Sequence, residues 1–408
     1  MPGRLHRDVR LIMLSRGLRA FAFSYLNVVF AIYLARLGYS TLTIGIVHSV
    51  AYISGALLTA IWGFLSDRYG RRRILILLAL LTIVSNGIYI FFTQLFFILL
   101  AVVIANVGAG GSAGGGQGGG PFNPVEQALL AEKCAPEERN RIFSVNAFVG
   151  SVMGSLGALM SGLPEQLHVA WGWDPVAAYR PLFALTILFS VALLFVYRAI
   201  AEEHRPAPVK RMISKQSGAF ITKLSLLGMV DNFGAGLIGP LISYWFFLRF
   251  GVELKSLGVM FFLSYFLAAL SFLAAPVIAR HIGVVRTMVF SHAVASALNL
   301  AIAFAPTFSV AATLLVVRSF LAYMDNPLRE SYTMAMVKSE ERGSAAGVTN
   351  LARVVPFGIS PTLSAYMMQS LSLSVPLVLG GSLQLINDCA FYYFFRHIRP
   401  PEEKKSLS

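Results

Sequence analysis

Apolar runs of spanning length, separated by short polar loops, recur from one end of the chain to the other. They fall at about 9–36, 43–66, 74–93, 95–132, 142–163, 181–200, 220–249, 257–279, 287–305, 309–336, 344–370 and 375–396. A spanning helix needs about 20 predominantly apolar residues, and no period-two alternation competes with the helical reading. The pattern predicts an all-α polytopic membrane protein of 12 transmembrane helices. The segment Met1 to Arg10 is basic, but the apolar run after it is too long for a cleavable signal and holds Arg16 and Arg19.

Composition agrees. Of 408 residues, 56% are hydrophobic and 13% charged, with mean hydropathy +0.69. Soluble domains carry about a quarter charged residues, so a disordered chain, a disulfide scaffold and an ordinary water-soluble enzyme are excluded. The net charge of +14, from 33 Lys and Arg against 19 acids, would suggest nucleic acid in a soluble protein. Its distribution decides otherwise. The termini and the alternate loops on their side hold 24 of the 33, including Arg4, Arg7, Arg10, Arg68, Arg71, Arg72, Arg73, Lys404 and Lys405. The opposite loops hold Arg36, Arg180, Arg249 and Lys255. This asymmetry places both termini in the cytoplasm and the chain in the cell (inner or plasma) membrane. The partner that uses the charge is the lipid bilayer, with no role for nucleic acid. Cys134 and Cys389, at a cytoplasmic helix end and inside the last span, argue against a structural disulfide.

The chain also repeats itself at half length. Arg36-x-Gly38-x6-Gly45 recurs as Arg249-x-Gly251-x6-Gly258, and Gly70, Arg73 and Asn86 recur as Gly283, Arg286 and Asn299, all at an offset of 213. Asn123-Pro124 and Glu137-Glu138-Arg139 recur as Asn326-Pro327 and Glu340-Glu341-Arg342 at an offset of 203. This predicts an N-terminal six-helix bundle at 1–200, a cytoplasmic linker at 201–222, a C-terminal six-helix bundle at 223–396 and a cytoplasmic tail at 397–408. The ten-residue difference falls around the run Gly110 to Gly120, inside the fourth apolar segment. Glycine is costly within a helix and lipid-exposed loops are not allowed, which leaves a broken helix lining a cavity or close packing through small residues. No Gly-Lys-Ser/Thr follows, so it is no phosphate loop.

Between the second and third segments stands Gly63-Phe64-Leu65-Ser66-Asp67-Arg68-Tyr69-Gly70-Arg71-Arg72-Arg73. This resembles, at every defined position, the loop signature of the major facilitator superfamily. Together with the span count and the tandem halves, the resemblance covers the whole chain. It implies two pseudo-symmetric six-helix bundles and secondary transport by alternating access. It further implies a conformational latch formed by Gly63, Asp67, Arg68, Gly70, Arg71 and Arg72, and a monomer without cofactors. The matching loop Ala279-Arg280-His281-Ile282-Gly283 lacks the acid, so one strong latch is expected rather than two. Gly150, Gly154, Gly157 and Gly162 give the glycine spacing of the family's antiporter signature without its Gly-Pro element, a pattern that simple helix packing also produces. The segment Gly120 to Gln127 is similar to a little-characterised bacterial branch and implies no substrate.

Ionisable groups inside a membrane are expensive and face a cavity or a partner. Arg16, Arg19, Arg318, Arg329 and Arg353 qualify, as do Glu126, Asp231, Asp325, Glu330 and Asp388. Arg318, Asp325 and Arg329, spaced by seven and four, share one helix face. By resemblance that face lines the central path. Under the repeat, Glu126 corresponds to Arg329 and Arg19 to Asn232, beside Asp231. This suggests Glu126–Arg329 and Arg19–Asp231 as contacts between halves, against local neutralisation such as Arg329 with Asp325. Asp231, Asp325 and Glu126, in that order, are the candidate proton carriers, and Asp388 is read as a packing group. Arg19, Arg318, Arg329, Asn232, Asn123 and Gln127 are the candidates for a substrate cavity. His281 and His292 read as ordinary polar residues, with no metal spacing. With neither a Walker loop nor a nucleophile motif present, an ion gradient, H⁺ before Na⁺, is the expected energy source. The expected function is secondary active transport of a small solute: proton-coupled export of an amphipathic organic compound, with organic-anion uptake or exchange second. A transporter-like sensor without flux is the remaining class.

Overall fold

The computed structural model describes residues 7–105, 120–134, 138–201, 215–336 and 342–396. The glycine run from 110 to 119 lies outside them, as do the tail 397–408 and most of the expected linker. Every regular element among the described residues is helical. In chain order these are α1 (Arg7–Arg36), α2 (Thr41–Tyr69), α3 (Arg71–Phe91), α4 (Leu95–Ala105) and α5 (Phe122–Glu132). Next come α6 (Arg139–Leu159), α7 (Leu163–Trp171), α8 (Arg180–Arg198), α9 (Lys215–Ile238) and α10 (Ile242–Phe250). The chain ends with α11 (Leu254–Ile282), α12 (Val284–Ala303), α13 (Phe308–Met336), α14 (Arg342–Ser370) and α15 (Val375–Phe395). Among the described residues, eight helical segments are long and apolar enough to cross a membrane, with shorter apolar helices at Leu95–Ile104 and Phe308–Met324.

Helix ends follow local chemistry. Ser40 caps α2 by accepting from the Thr43 amide at 3.2 Å. Pro164 opens α7 and Gly172, at φ 68°, closes it. The tight α2–α3 turn passes through Gly70 at φ 98°, and the α11–α12 turn through Gly283 at φ 90°. Side chains rarely adopt such angles, which is why glycine recurs there at the repeat offset of 213.

The chain divides into two compact units. The first contains Met1–Ala207 and Ile242–Tyr265; the second contains Pro208–Leu241 and Phe266–Ser408. The units therefore differ from the two halves of the repeat, since α10 and the start of α11 belong with the first. Polar contacts show why: Thr41 and Tyr244 hydroxyls meet at 3.2 Å, Asn27 donates to Tyr265 at 3.3 Å, and Ser161 donates to the Leu254 carbonyl at 3.4 Å.

Packing inside each unit repeats as the sequence does. In the first unit α1 packs on α6 and α8, and α3 packs on α8 and α4. In the second unit α9 packs on α14 and α15, and α12 packs on α15 and α13. One end of the first unit is filled by Ile12, Leu75, Leu78, Leu129, Leu193 and Tyr197; the second unit has Leu224, Met288, Phe391 and Phe395. Close approach depends on small residues. A Cβ on Gly157 would collide with the Phe21 backbone of α1, so the glycine spacing of α6 serves helix packing. On α14, Ser360 and Ser364 donate to the Phe233 and Leu237 carbonyls of α9 at 3.0 and 2.6 Å.

Candidate functional site

In the first unit, α1, α5 and α8 bring charged side chains into an apolar interior. Glu126 accepts from both Nε (3.3 Å) and Nη2 of Arg19, a two-pronged ion pair that is almost fully buried. Arg–carboxylate pairs of this form are strong because the donor fork matches the acceptor. Ser15 and Tyr197 add hydroxyl hydrogen bonds to Glu126 Oε1 at 2.8 and 2.5 Å. The Arg19 guanidinium lies 4.7 Å from the centroid of the Phe122 ring. One turn away, Arg16 donates to Asn123 Oδ1 at 2.9 Å, and Gln127 donates to the same oxygen at 3.4 Å. Glu126 thus gathers Arg19, Ser15 and Tyr197, and Asn123 gathers Arg16 and Gln127. Ser15 and Tyr197 are site residues that the sequence alone did not single out. Tyr197, a phenol inside an apolar run, was the sequence signal for the last of these.

At the α2–α3 turn, Arg71 lies 3.5 Å from Asp67 and 2.8 Å from Glu132, at the end of α5. Arg68 stacks over Tyr69 at 5.5 Å, and Arg72 donates to the Ile200 carbonyl at 3.4 Å. Gly63, inside α2, has open space around it. Lys133 and Asp8 pair at 3.2 Å beside this turn. The acid reached by Arg71 in addition to Asp67 is therefore Glu132, which the loop motif does not contain.

The second unit has a different centre. His292 of α12 lies between two carboxylates: its Nδ1 is 2.8 and 3.0 Å from the Asp388 oxygens, and its Nε2 is 3.5 Å from Asp231 Oδ1. Ser296 donates to Asp388 at 3.1 Å. Arg318 of α13 lies within electrostatic reach of Asp231 and makes no hydrogen bond or ion pair among the described residues. Asn232 donates to the Gly228 carbonyl of its own helix at 2.8 Å. Arg329 stacks 5.2 Å from the Phe391 ring. Asp325 is on α13 with its side chain outside the described set, as is that of Glu330.

Within their own units, Arg19 holds Glu126 and Asp231 faces His292. Each pair places a buried charge beside an opposite or titratable partner, as charges in an apolar interior require. His292 and Asp388 are hydrogen-bonded to one another in the interior of the second unit and so join α12 to α15. A histidine and two aspartates, each alone in its own apolar run, were the sequence signal; their separation along the chain concealed it.

Comparison with known proteins agrees with this architecture. The model of the Major Facilitator Superfamily matches residues 12–227 and 224–408. The chain is 22% identical over 419 residues to the Uncharacterized membrane protein YJR124C of Saccharomyces cerevisiae, covering 94% of this chain and 92% of that one. It is 25% identical over 211 residues to the Multi-drug resistance efflux pump PmrA of Streptococcus pneumoniae, about half of each protein (49% and 47%). Among solved structures, the xylose transporter XylE from E. coli superposes with TM-score 0.73 at 15% identity over 95% and 96% of the two chains. The nucleoside transporter NupG gives TM-score 0.72 at 14% identity over 96% and 100%. A family model that matches both halves of the repeat and the shared transporter fold identify the chain as a multi-pass, non-enzymatic membrane protein of the major facilitator superfamily.

Proposed function

We propose that the protein exports a small amphipathic organic compound in exchange for protons, acting as a monomer in the cell membrane with cytoplasmic termini. Alternating access arises from the two six-helix halves at 1–200 and 223–396, with the Asp67–Arg71 loop as the latch. The half-chain likeness to a multi-drug efflux pump supports export of this solute class.

The observation that carries proton coupling is the difference between the buried acids. Glu126 accepts from a guanidinium and two hydroxyls, so its oxygens are supplied with donors. Asp231 Oδ1 is buried and accepts no hydrogen bond. A buried acceptor without a donor costs about 1–3 kcal/mol, and protonation relieves that cost by removing the charge. Asp231 is therefore the proton carrier ahead of Glu126. The second reading, organic-anion exchange, is favoured by Arg318, a guanidinium without a carboxylate bound to it among the described residues. Flux assays in proteoliposomes with imposed pH and Na⁺ gradients test both: ethidium flux driven by ΔpH supports the first, and flux of an organic anion alone supports the second.

A further inference from the structure

The second unit contains more than one titratable carboxylate. His292 is bonded to Asp388 on one side and faces Asp231 on the other. Asp388 is sealed, with a side chain only 3% exposed, whereas Asp231 retains 13%. Ser296 fixes Asp388 from α12, so the imidazole and this carboxylate are held in one orientation.

Donor logic assigns the ring protons. An ionised Asp388 only accepts, so Nδ1 carries a hydrogen and donates it. Nε2 is then the nitrogen that gains or loses a proton, and it lies 3.5 Å from Asp231 Oδ1. Charge in an apolar interior tends toward balance. Asp231, Asp388 and Arg318, whose guanidinium lies within electrostatic reach of Asp231, sum to one negative charge, which one proton on His292 cancels.

We infer that the Asp231–His292–Asp388 cluster is the proton site of the second unit, with the imidazole, rather than a lone carboxylate, receiving the proton. This rests on the coupling proposed above and assigns its site. A proton from hydronium adds to Nε2, releasing water and forming the Nε2–H bond. Transfer to Asp231 breaks that bond, forms O–H on Oδ1 and returns the ring to neutral with its Nδ1–H still on Asp388. Asp388 acts as a positioning residue: it sets the tautomer without touching the transported proton.

Among the described residues, the elements packed around the cluster carry further charged and titratable groups. Arg318 and Tyr323 approach from α13, and Arg329 stacks on Phe391 of α15. On α14, Arg353 lies against α9, where its Cγ would be 3.9 Å from a Cβ built on Gly228. An unperturbed imidazole changes charge between about pH 5 and 8, so the pH jump used below spans that range.

The test uses the full chain in proteoliposomes on a solid-supported membrane, with protons as the only probe. A jump from pH 8 to pH 6 should give a transient charge displacement in the wild type. His292→Gln and Asp231→Asn should reduce it at least fivefold, and Asp388→Asn should reduce it while the protein remains monodisperse. His281→Gln, an exposed histidine bonded to its own helix, should leave it unchanged. Ethidium counterflow, which needs no net proton movement, serves as the folding check for each variant. A full-size displacement in a counterflow-competent His292→Gln protein overturns the inference. If the wild type itself moves no ethidium, monodispersity is the folding check, and a displacement lost in a monodisperse His292→Gln protein supports the site while refuting the transport reading.

Discussion

Arg19 and Glu126, 107 positions apart in sequence, form a two-pronged ion pair that is almost completely buried within the first unit. The pair ties α1 to α5, and Tyr197 extends it to α8. Removing one partner of a buried pair leaves an uncompensated charge, at a cost of about 3–5 kcal/mol. Glu126→Gln should therefore lower the thermal unfolding temperature in detergent sharply. Adding Arg19→Met to Glu126→Gln should recover most of the loss, because the stranded cation is gone. Equal and additive losses in the double-mutant cycle would mean the two side chains are not coupled.

Tyr197→Phe removes one donor and no charge. A hydrogen bond to a charged group contributes about 1.5–3 kcal/mol, so this variant should be destabilised less than Glu126→Gln. It should also be non-additive with that substitution when unfolding is followed for both and for their combination.

Two glycines in helix interiors predict opposite signs. At Gly157 a Cβ meets the Phe21 backbone, which has no room to move without separating α1 from α6. Gly157→Ala should cost about 1–3 kcal/mol, as overpacking does. At Gly87 of α3 nothing stands within 4 Å, so Gly87→Ala should be neutral or stabilising by up to about 1 kcal/mol. Unfolding midpoints of the purified variants decide.

Arg71 touches both Asp67 and Glu132, whereas the cation–π partner of Arg68 is its neighbour Tyr69. If the turn is the latch, Arg71→Ala should shift cysteine accessibility on the cytoplasmic side severalfold more than Arg68→Ala. Glu132→Gln should reproduce part of that shift, although it lies outside the loop motif.

Much of this was legible in the chain. Apolar runs located α1, α2, α3, α8 and α11 to α15 to within a few residues, because a spanning segment must satisfy its own backbone and so declares itself by length. The repeat reappeared as paired left-handed glycines, Gly70 with Gly283 and Gly38 with Gly251, and as matching helix contacts in the two units. Partners were the hard part. Nothing in the sequence separation marks Glu126 as the partner of Arg19, and the packing of α5 on α1 selects it. His292 looked solitary because its two acids lie 61 and 96 positions away on other helices. The grouping of Ile242–Tyr265 with the first unit follows the packing of α10 on α1 and is accompanied by side-chain hydrogen bonds that no repeat predicts.

The most direct test of the central claim is ΔpH-driven ethidium transport by the purified protein in proteoliposomes, wild type against Asp231→Asn. The wild type should move ethidium against its gradient only while ΔpH is maintained, and a protonophore should abolish this. Asp231→Asn should lose at least tenfold of that driven flux and keep its counterflow. Driven flux that ignores ΔpH, or that survives intact in Asp231→Asn, would contradict proton-coupled transport through the second unit.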